Sequence, residues 1–228
     1  MTGVKLSSQE RNILAAVDHT LLSQVATWEQ TKELLREAET FHVASACIAP
    51  TYVARASDFL AGRLPVCTVV GFPNGYNTCR TKVFETEEAI AGGATEIDMV
   101  ICLGDVKAQA YGRIKDEICA IREVCGTNVL KVIIETCLLT EAEKIHMCEV
   151  VTDAKADFIK TSTGFSSGGA MIEDMYLFRR HIGPDVRIKA AGGISTLADA
   201  QAFLSTGASR LGTSRVVKLL MQKGGNRL

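Results

Sequence analysis

Lys160 lies in Asp157-Phe158-Ile159-Lys160-Thr161-Ser162-Thr163-Gly164, an apolar strand that runs into a hydroxyl- and glycine-rich turn. A lysine inside a buried strand is costly unless its charge is matched or lost. It is tolerated either as part of an ion pair or where the chemistry needs a neutral amine. A neutral lysine amine attacks an aldehyde to give a carbinolamine and then an imine. The iminium is an electron sink, so the carbon–carbon bond at the adjacent carbon can be made or broken. Burial and a neighbouring cation both favour the neutral amine, and Lys189 in the stretch 186–191 offers such a cation. Asp98, in the stretch 95–101, would serve as acid/base for the dehydration and enamine steps, directly or through water.

These residues need elements to position them, and the chain alternates strand and helix throughout. Helices are expected over 7–16, 27–41, 51–61, 78–91, 105–124, 140–155, 171–181, 197–205 and 214–222. Strands are expected over 16–22, 43–48, 65–71, 95–101, 128–135, 157–164, 186–191 and 209–212. Ser7 or Ser8 and Thr27 stand as helix caps, and Gly92-Gly93 as a stop. Glu33 and Glu37 are placed on the solvent side of the second helix. Alternating units imply a parallel sheet with right-handed crossovers. Eight of them favour a closed (β/α)8 TIM barrel with one extra N-terminal helix, read as a single domain over 1–228.

Strand residues alternate between the barrel interior and the helix layer. Ile97, Met99 and Ile101, then Leu130, Val132 and Ile134, then Ile159 and Ile188, suit the helix layer. Asp98, Lys131, Lys160 and Lys189 therefore point inward on four adjacent strands, and Asp18 and Thr20 join them from the first. One inward ion reads as a structural network. Four on neighbouring strands, below glycine-rich loops at the C-terminal face, read as a site. The loops at Thr161 to Gly164, Gly192-Gly193 and Gly212-Thr213-Ser214 suggest a phosphate, because the last opens a helix and this fold commonly binds phosphate after strands seven and eight. His19 falls on the outward parity, Cys47 reads as a core thiol near the mouth, and Trp28 as helix packing.

Composition narrows the function classes. The 228 residues are 47% hydrophobic and 22% charged, enough for a full core. With 25 basic against 26 acidic residues, the net charge of -1 gives no case for nucleic acid or an anionic membrane. Residues 1–10 lack the basic cluster and apolar run of a secretory signal. No stretch approaches the roughly 18 apolar residues of a membrane span. A cytoplasmic protein is expected. The eight cysteines form no Cys-x-x-Cys pair and have no histidine at zinc-ligand spacing, so they read as reduced structural thiols with no metal.

Several segments resemble the deoxyribose-phosphate aldolase family: Val17-Asp18-His19-Thr20-Leu21-Leu22, Gly71-Phe72-Pro73, Glu96-Ile97-Asp98-Met99-Val100, and Leu130-Lys131-Val132-Ile133-Ile134-Glu135-Thr136. The same holds for Phe158-Ile159-Lys160-Thr161-Ser162-Thr163-Gly164 and Ile188-Lys189-Ala190-Ala191-Gly192-Gly193-Ile194, in order over nearly the whole chain. The resemblance implies a class I aldolase, without metal or other cofactor, that reversibly cleaves 2-deoxy-D-ribose 5-phosphate to glyceraldehyde 3-phosphate and acetaldehyde in deoxyribose catabolism. By position it implies Lys160 as the Schiff-base lysine, Lys189 as the lysine that tunes it, and Asp98 as the proton-transfer group. It implies Asp18, Thr20 and Lys131 as supporting polar residues and Thr163, Gly164, Gly192, Gly193 and Ser214 as substrate or phosphate contacts. A homodimer or homotetramer is implied as well.

The chain departs from the family at two places. Phe165 stands where some members carry a lysine near the phosphate, which leaves phosphate affinity to backbone amides. The sequence ends Asn226-Arg227-Leu228 without the C-terminal tyrosine that some members use as a proton relay, and Tyr176 falls in a helix. The residues leave three other readings open: another Schiff-base or transaldolase-like enzyme, a barrel isomerase or synthase using plain acid/base chemistry, and a silent metabolite-binding barrel whose lysines balance Asp98, Glu135 and the ligand.

Overall fold

The interior of the barrel is lined by one parity of eight parallel strands, and the other parity is buried under helices. The structure, a computed structural model, describes residues 5–225. The C-terminal residues 226–228, on which the tyrosine comparison rests, lie outside the described residues, as do residues 1–4 of the N-terminal stretch. The strands are β1 (Val17–Leu21), β2 (Ser45–Ile48), β3 (Val66–Val70), β4 (Glu96–Val100), β5 (Val129–Ile133), β6 (Phe158–Lys160), β7 (Arg187–Ala191) and β8 (Arg210–Thr213). Each pairs in parallel with the next, and β8 closes on β1 with Asp18 opposite Gly212.

Helix α1 (Ser8–Leu14) precedes the barrel, as expected. Around it run α2 (Trp28–Thr40), α3 (Val53–Leu60), α4 (Cys79–Ala91), α5 (Leu103–Lys107), α6 (Tyr111–Cys125), α7 (Glu141–Asp153), α8 (Ile172–His181), α9 (Leu197–Ser205) and α10 (Val216–Gly225). Short polar caps set the starts: Ser7 with Glu10, Thr27 with Gln30, Thr140 with Glu143 and Thr196 with Asp199 each close a reciprocal capping box. Among the described residues, no helix is long and apolar enough to cross a membrane.

The inward and outward sets fall as the alternation requires. Ile97, Met99, Ile101, Leu130, Val132, Ile134, Ile159 and Ile188 all join the apolar layer between barrel and helices. Cys47, Cys67 and Val69 form a separate small cluster inside the barrel, so Cys47 is a fully buried core thiol. Cys79, Cys119 and Cys137 are instead exposed. Because the side-chain period is two, a one-residue slip of β4 or β5 would drive Asp98 or Lys131 into the apolar layer; burial fixes the register.

Two local expectations change. The long helix over 105–124 is two helices, because Gln109 takes a left-handed φ of 55° and the Ala110 amide turns back to the Asp105 carbonyl. Strand β6 is short, as expected, three residues before its turn. Thr161 ends it by donating its hydroxyl to the Ala191 carbonyl (3.1 Å) and accepting the Ala191 amide (3.0 Å), so a side chain takes over the ladder. Glu37 is not turned to solvent: it meets Nε2 of the buried His19 at 2.8 Å. His19 therefore ties β1 to α2, consistent with its outward parity. Trp28 packs on Tyr52, ring centroids 5.9 Å apart.

Candidate active site

Asp98 is the hub of the barrel interior. Lys131 Nζ donates to its Oδ1 at 2.8 Å, and Lys160 and Lys189 each donate to its Oδ2 at 2.6 Å. Neighbouring strands deliver these groups in register, with Asp98 opposite Lys131 and Lys160 opposite Lys189. A second tier lies below. Lys131 also meets Glu96 at 2.7 Å, and Lys189 also meets Asp18. Asp18 accepts from Ser45 (2.7 Å) and from Arg210 (2.6 Å), and Arg210 spans across to Glu96 at 3.0 Å. Thr20, half-buried, donates its hydroxyl to the Asp18 carbonyl.

The charges in this interior do not balance. Among the described residues, the carboxylates that Lys131, Lys160, Lys189 and Arg210 face are Asp18, Glu96 and Asp98, which leaves one surplus cation. Burial alone would raise the Asp98 carboxyl, but the ammonium groups of Lys131, Lys160 and Lys189 outweigh it and hold it well below the usual carboxylate range. Asp18 is likewise lowered: burial opposes its charge, and Lys189, Lys131 and Arg210 prevail. Burial disfavours the charged forms of Lys131 and Lys189 too, yet their carboxylate partners keep both above the ordinary lysine value. Both therefore remain ammonium ions at neutral pH.

Lys160 differs from its neighbours in two respects. Among the described residues, Asp98 is its one carboxylate partner, whereas Lys189 also pairs with Asp18, and Lys131 with Glu96 and Asp18. It is also the one lysine of the three that lines the cavity at the C-terminal mouth, a space of about 830 Å³. Thr20, Thr163, Gly164, Gly192, Gly193 and Ser214 line the same cavity. The structure thus brings Lys160 together with the expected loop residues, and sets Lys131, Lys189, Asp18 and Asp98 beneath them.

The glycines of these loops are there for backbone reasons. Gly164, Gly192 and Gly193 have φ of 84°, 82° and 79°, where a side chain is strained. The loops after β6 and β7 also touch main chain to main chain, since a Cβ on Gly169 would lie 2.5 Å from the Gly192 carbonyl. Glu135 supports this region and not the lysines. At a left-handed φ of 51° it accepts from the Thr163 amide at 3.2 Å and from the Thr163 hydroxyl at 2.5 Å. Glu135→Ala leaves both groups unpaired in a buried place, at a cost of about 2–3 kcal/mol. A urea melt should show the loss, and an unchanged midpoint would refute the bracing role.

Phe165 is half-exposed and meets Phe72 edge-on, centroids 5.3 Å apart, as an apolar wall of the mouth. Tyr176 sits exposed on α8. Sequence reasoning missed Arg210, Glu96, Ser45 and Cys67 as members of the buried network, and Arg215 at the cavity. Parity sets Glu96 on the face of Asp98, two residues before it, but does not reveal its partners Lys131 and Arg210. Arg210 gives no such signal, because it lies within the shortest expected strand, 209–212, where alternation is hardest to read.

Comparison with known proteins converges on one chemistry. Residues 12–214 match the profile of the DeoC/LacD family aldolases. A deoxyribose-phosphate aldolase of Clostridium botulinum (strain Alaska E43 / Type E3) is 54% identical over 208 residues, covering 91% of this chain and 94% of that protein. One from Clostridioides difficile (strain 630) is 53% identical over 210 residues, covering 92% and 96%. Among solved structures, the tetrameric deoxyribose phosphate aldolase of Aeropyrum pernix has a TM-score of 0.87 at 29% identity, covering 94% of this chain and 92% of that one.

Proposed function

Because this chain belongs to the DeoC/LacD family of aldolases, we propose that it reversibly cleaves 2-deoxy-D-ribose 5-phosphate to D-glyceraldehyde 3-phosphate and acetaldehyde through an imine on Lys160. The observation that carries the mechanism is the position of Lys160, which opens to the cavity with Asp98 as its one counterion. A neighbouring ammonium favours the neutral form of an amine, and Lys189 reaches the same Asp98 oxygen as Lys160. Lys131 and Lys189 are held as ammonium ions by Glu96, Asp18 and Asp98.

The amine attacks the open-chain aldehyde carbon, and loss of water gives the iminium. Removal of the proton from the 3-hydroxyl breaks the C2–C3 bond. Glyceraldehyde 3-phosphate leaves, and the bonding pair stays on the acetaldehyde fragment as an enamine. Protonation of that carbon and hydrolysis then release acetaldehyde and the free lysine. Asp98, ionised and within 2.6 Å of Lys160, is placed to move these protons directly or through water. Lys189 sets the local positive potential, while Asp18, Thr20 and Lys131 hold Asp98 and Lys189 in place. Thr163, Gly164, Gly192, Gly193 and Ser214 form the cradle for the phosphate at the loops and the α10 N-terminus.

The same reading makes the chain one catalytic domain, needing no metal or cofactor, that works in deoxyribose catabolism in the cytoplasm. It assembles as a homodimer or homotetramer; the Aeropyrum pernix relative is tetrameric. The test is an assay of purified protein with 2-deoxyribose 5-phosphate and a chelator, following glyceraldehyde 3-phosphate by coupled reduction. Turnover unaffected by the chelator is expected. A sugar phosphate that is isomerised without release of an aldehyde would favour the acid/base barrel instead.

A further inference from the structure

Among the residues that line the cavity, two carry charge, Lys160 and Arg215, and none is acidic. If Lys160 reacts as a neutral amine, Arg215 is left as the one permanent positive charge in the cavity wall, since a guanidinium does not lose its proton. The glycine amides and the α10 N-terminus offer only partial charges, about half a unit for a helix end. A phosphate ester bearing nearly two negative charges needs more than that.

The main chain of Arg215 is fixed where it would have to be. Its amide donates to Thr213 Oγ1 at 3.1 Å, and that hydroxyl donates on to the Ile194 carbonyl at 2.9 Å. The residue is thereby tied to the loop after β7 that holds Gly192 and Gly193. Its carbonyl accepts from the Leu219 amide at 3.0 Å, which seats it at the start of α10 beside Ser214. The side chain, in contrast, is uncommitted. Among the described residues Arg215 faces no carboxylate within ion-pair distance; Arg11, Arg55, Arg80, Arg179, Arg180 and Arg187 face none either, but Arg215 is the arginine that lines the cavity. It is exposed at the mouth. Position 165, also on the cavity wall, is a phenylalanine engaged with Phe72 and supplies no charge.

We infer that Arg215 is the specificity-determining cation of the site, making a charge-assisted contact to the substrate phosphate and setting the preference for phosphorylated over unphosphorylated sugars. The inference rests on the aldolase reading but can fail separately from it. The experiment compares wild type with Arg215→Leu, Arg215→Gln and Arg215→Lys. It measures the ratio of kcat/KM for 2-deoxyribose 5-phosphate to that for 2-deoxyribose, together with direct binding of inorganic phosphate by calorimetry.

In the Leu and Gln variants the ratio should fall about 10- to 100-fold, the range of one charged hydrogen-bonded contact. The loss should appear in KM, phosphate affinity should fall in parallel, and the Lys variant should recover part of both. A ratio within threefold of wild type in the Leu and Gln variants would overturn the role of Arg215 and leave the aldolase intact. A wild type that cleaves neither sugar would overturn the aldolase, and phosphate binding would then decide the cation site: lost in the Leu variant it stands, retained it falls.

Discussion

Lys160→Met is expected to abolish aldol cleavage, with kcat reduced on the order of 10⁴-fold or more, while leaving the protein at least as stable as its parent. The kinetic half follows from removing the nucleophile, a loss that the remaining groups of a catalytic unit do not make up. The stability half follows from the charge count. Without Lys160, the interior holds Lys131, Lys189 and Arg210 against Asp18, Glu96 and Asp98, a balanced set. Methionine keeps the volume and adds no desolvation cost. Residual activity above about 1% of wild type would show that another group performs the attack. A marked drop in melting temperature would show that the ammonium form of Lys160 is structural.

Asp98→Asn is expected to do the opposite to stability while also silencing the enzyme. It removes the carboxylate charge that Lys131, Lys160 and Lys189 share and replaces one of its two acceptor oxygens with a donor. Breaking a buried ion network by deleting one partner costs about 3–5 kcal/mol. Activity should fall by about 10³-fold, because proton transfer to and from the carbinolamine and enamine loses its group. The difference in stability has a defined pH dependence. The Asp98 carboxyl is lowered in the folded state, so its contribution is complete above the ordinary carboxylate value, about 3.9, and disappears as pH falls through the folded one. Urea melts of wild type and variant should therefore differ by a constant amount near neutrality and converge only below about pH 4. A gap that closes between pH 6 and 8 would mean that a lysine, not Asp98, governs the network.

The barrel was legible because its signals are local and redundant. Eight apolar stretches alternate with capped amphipathic ones, and period-two alternation sorts Asp98, Lys131, Lys160 and Lys189 from Ile97, Leu130, Ile159 and Ile188. The site was legible for the same reason, since the inward parity of adjacent strands delivers those four residues to one place. What stayed hidden depends on tertiary partners. Glu37 looks like a solvent-facing helix residue until the buried His19 is found beneath it. Glu135 looks like a counterion for the lysines, but the left-handed turn at its own Cα aims it at Thr163. Arg210 and Glu96 reach across the floor of the barrel to Asp18 and Lys131, and nothing in the spacing of β8 announces it. Arg215 reads as the start of a helix, and its place on the cavity wall emerges only when β8 closes on β1.

The covalent step is the centre of this account, and reductive trapping reaches it most directly. The wild-type protein is incubated with acetaldehyde or 2-deoxyribose 5-phosphate, reduced with borohydride, weighed intact and mapped by peptide mass. One stable adduct per chain is expected from acetaldehyde, located on Lys160 and missing in Lys160→Met. No adduct in a folded protein that still binds the sugar phosphate, or an adduct on Lys131 or Lys189, would contradict it.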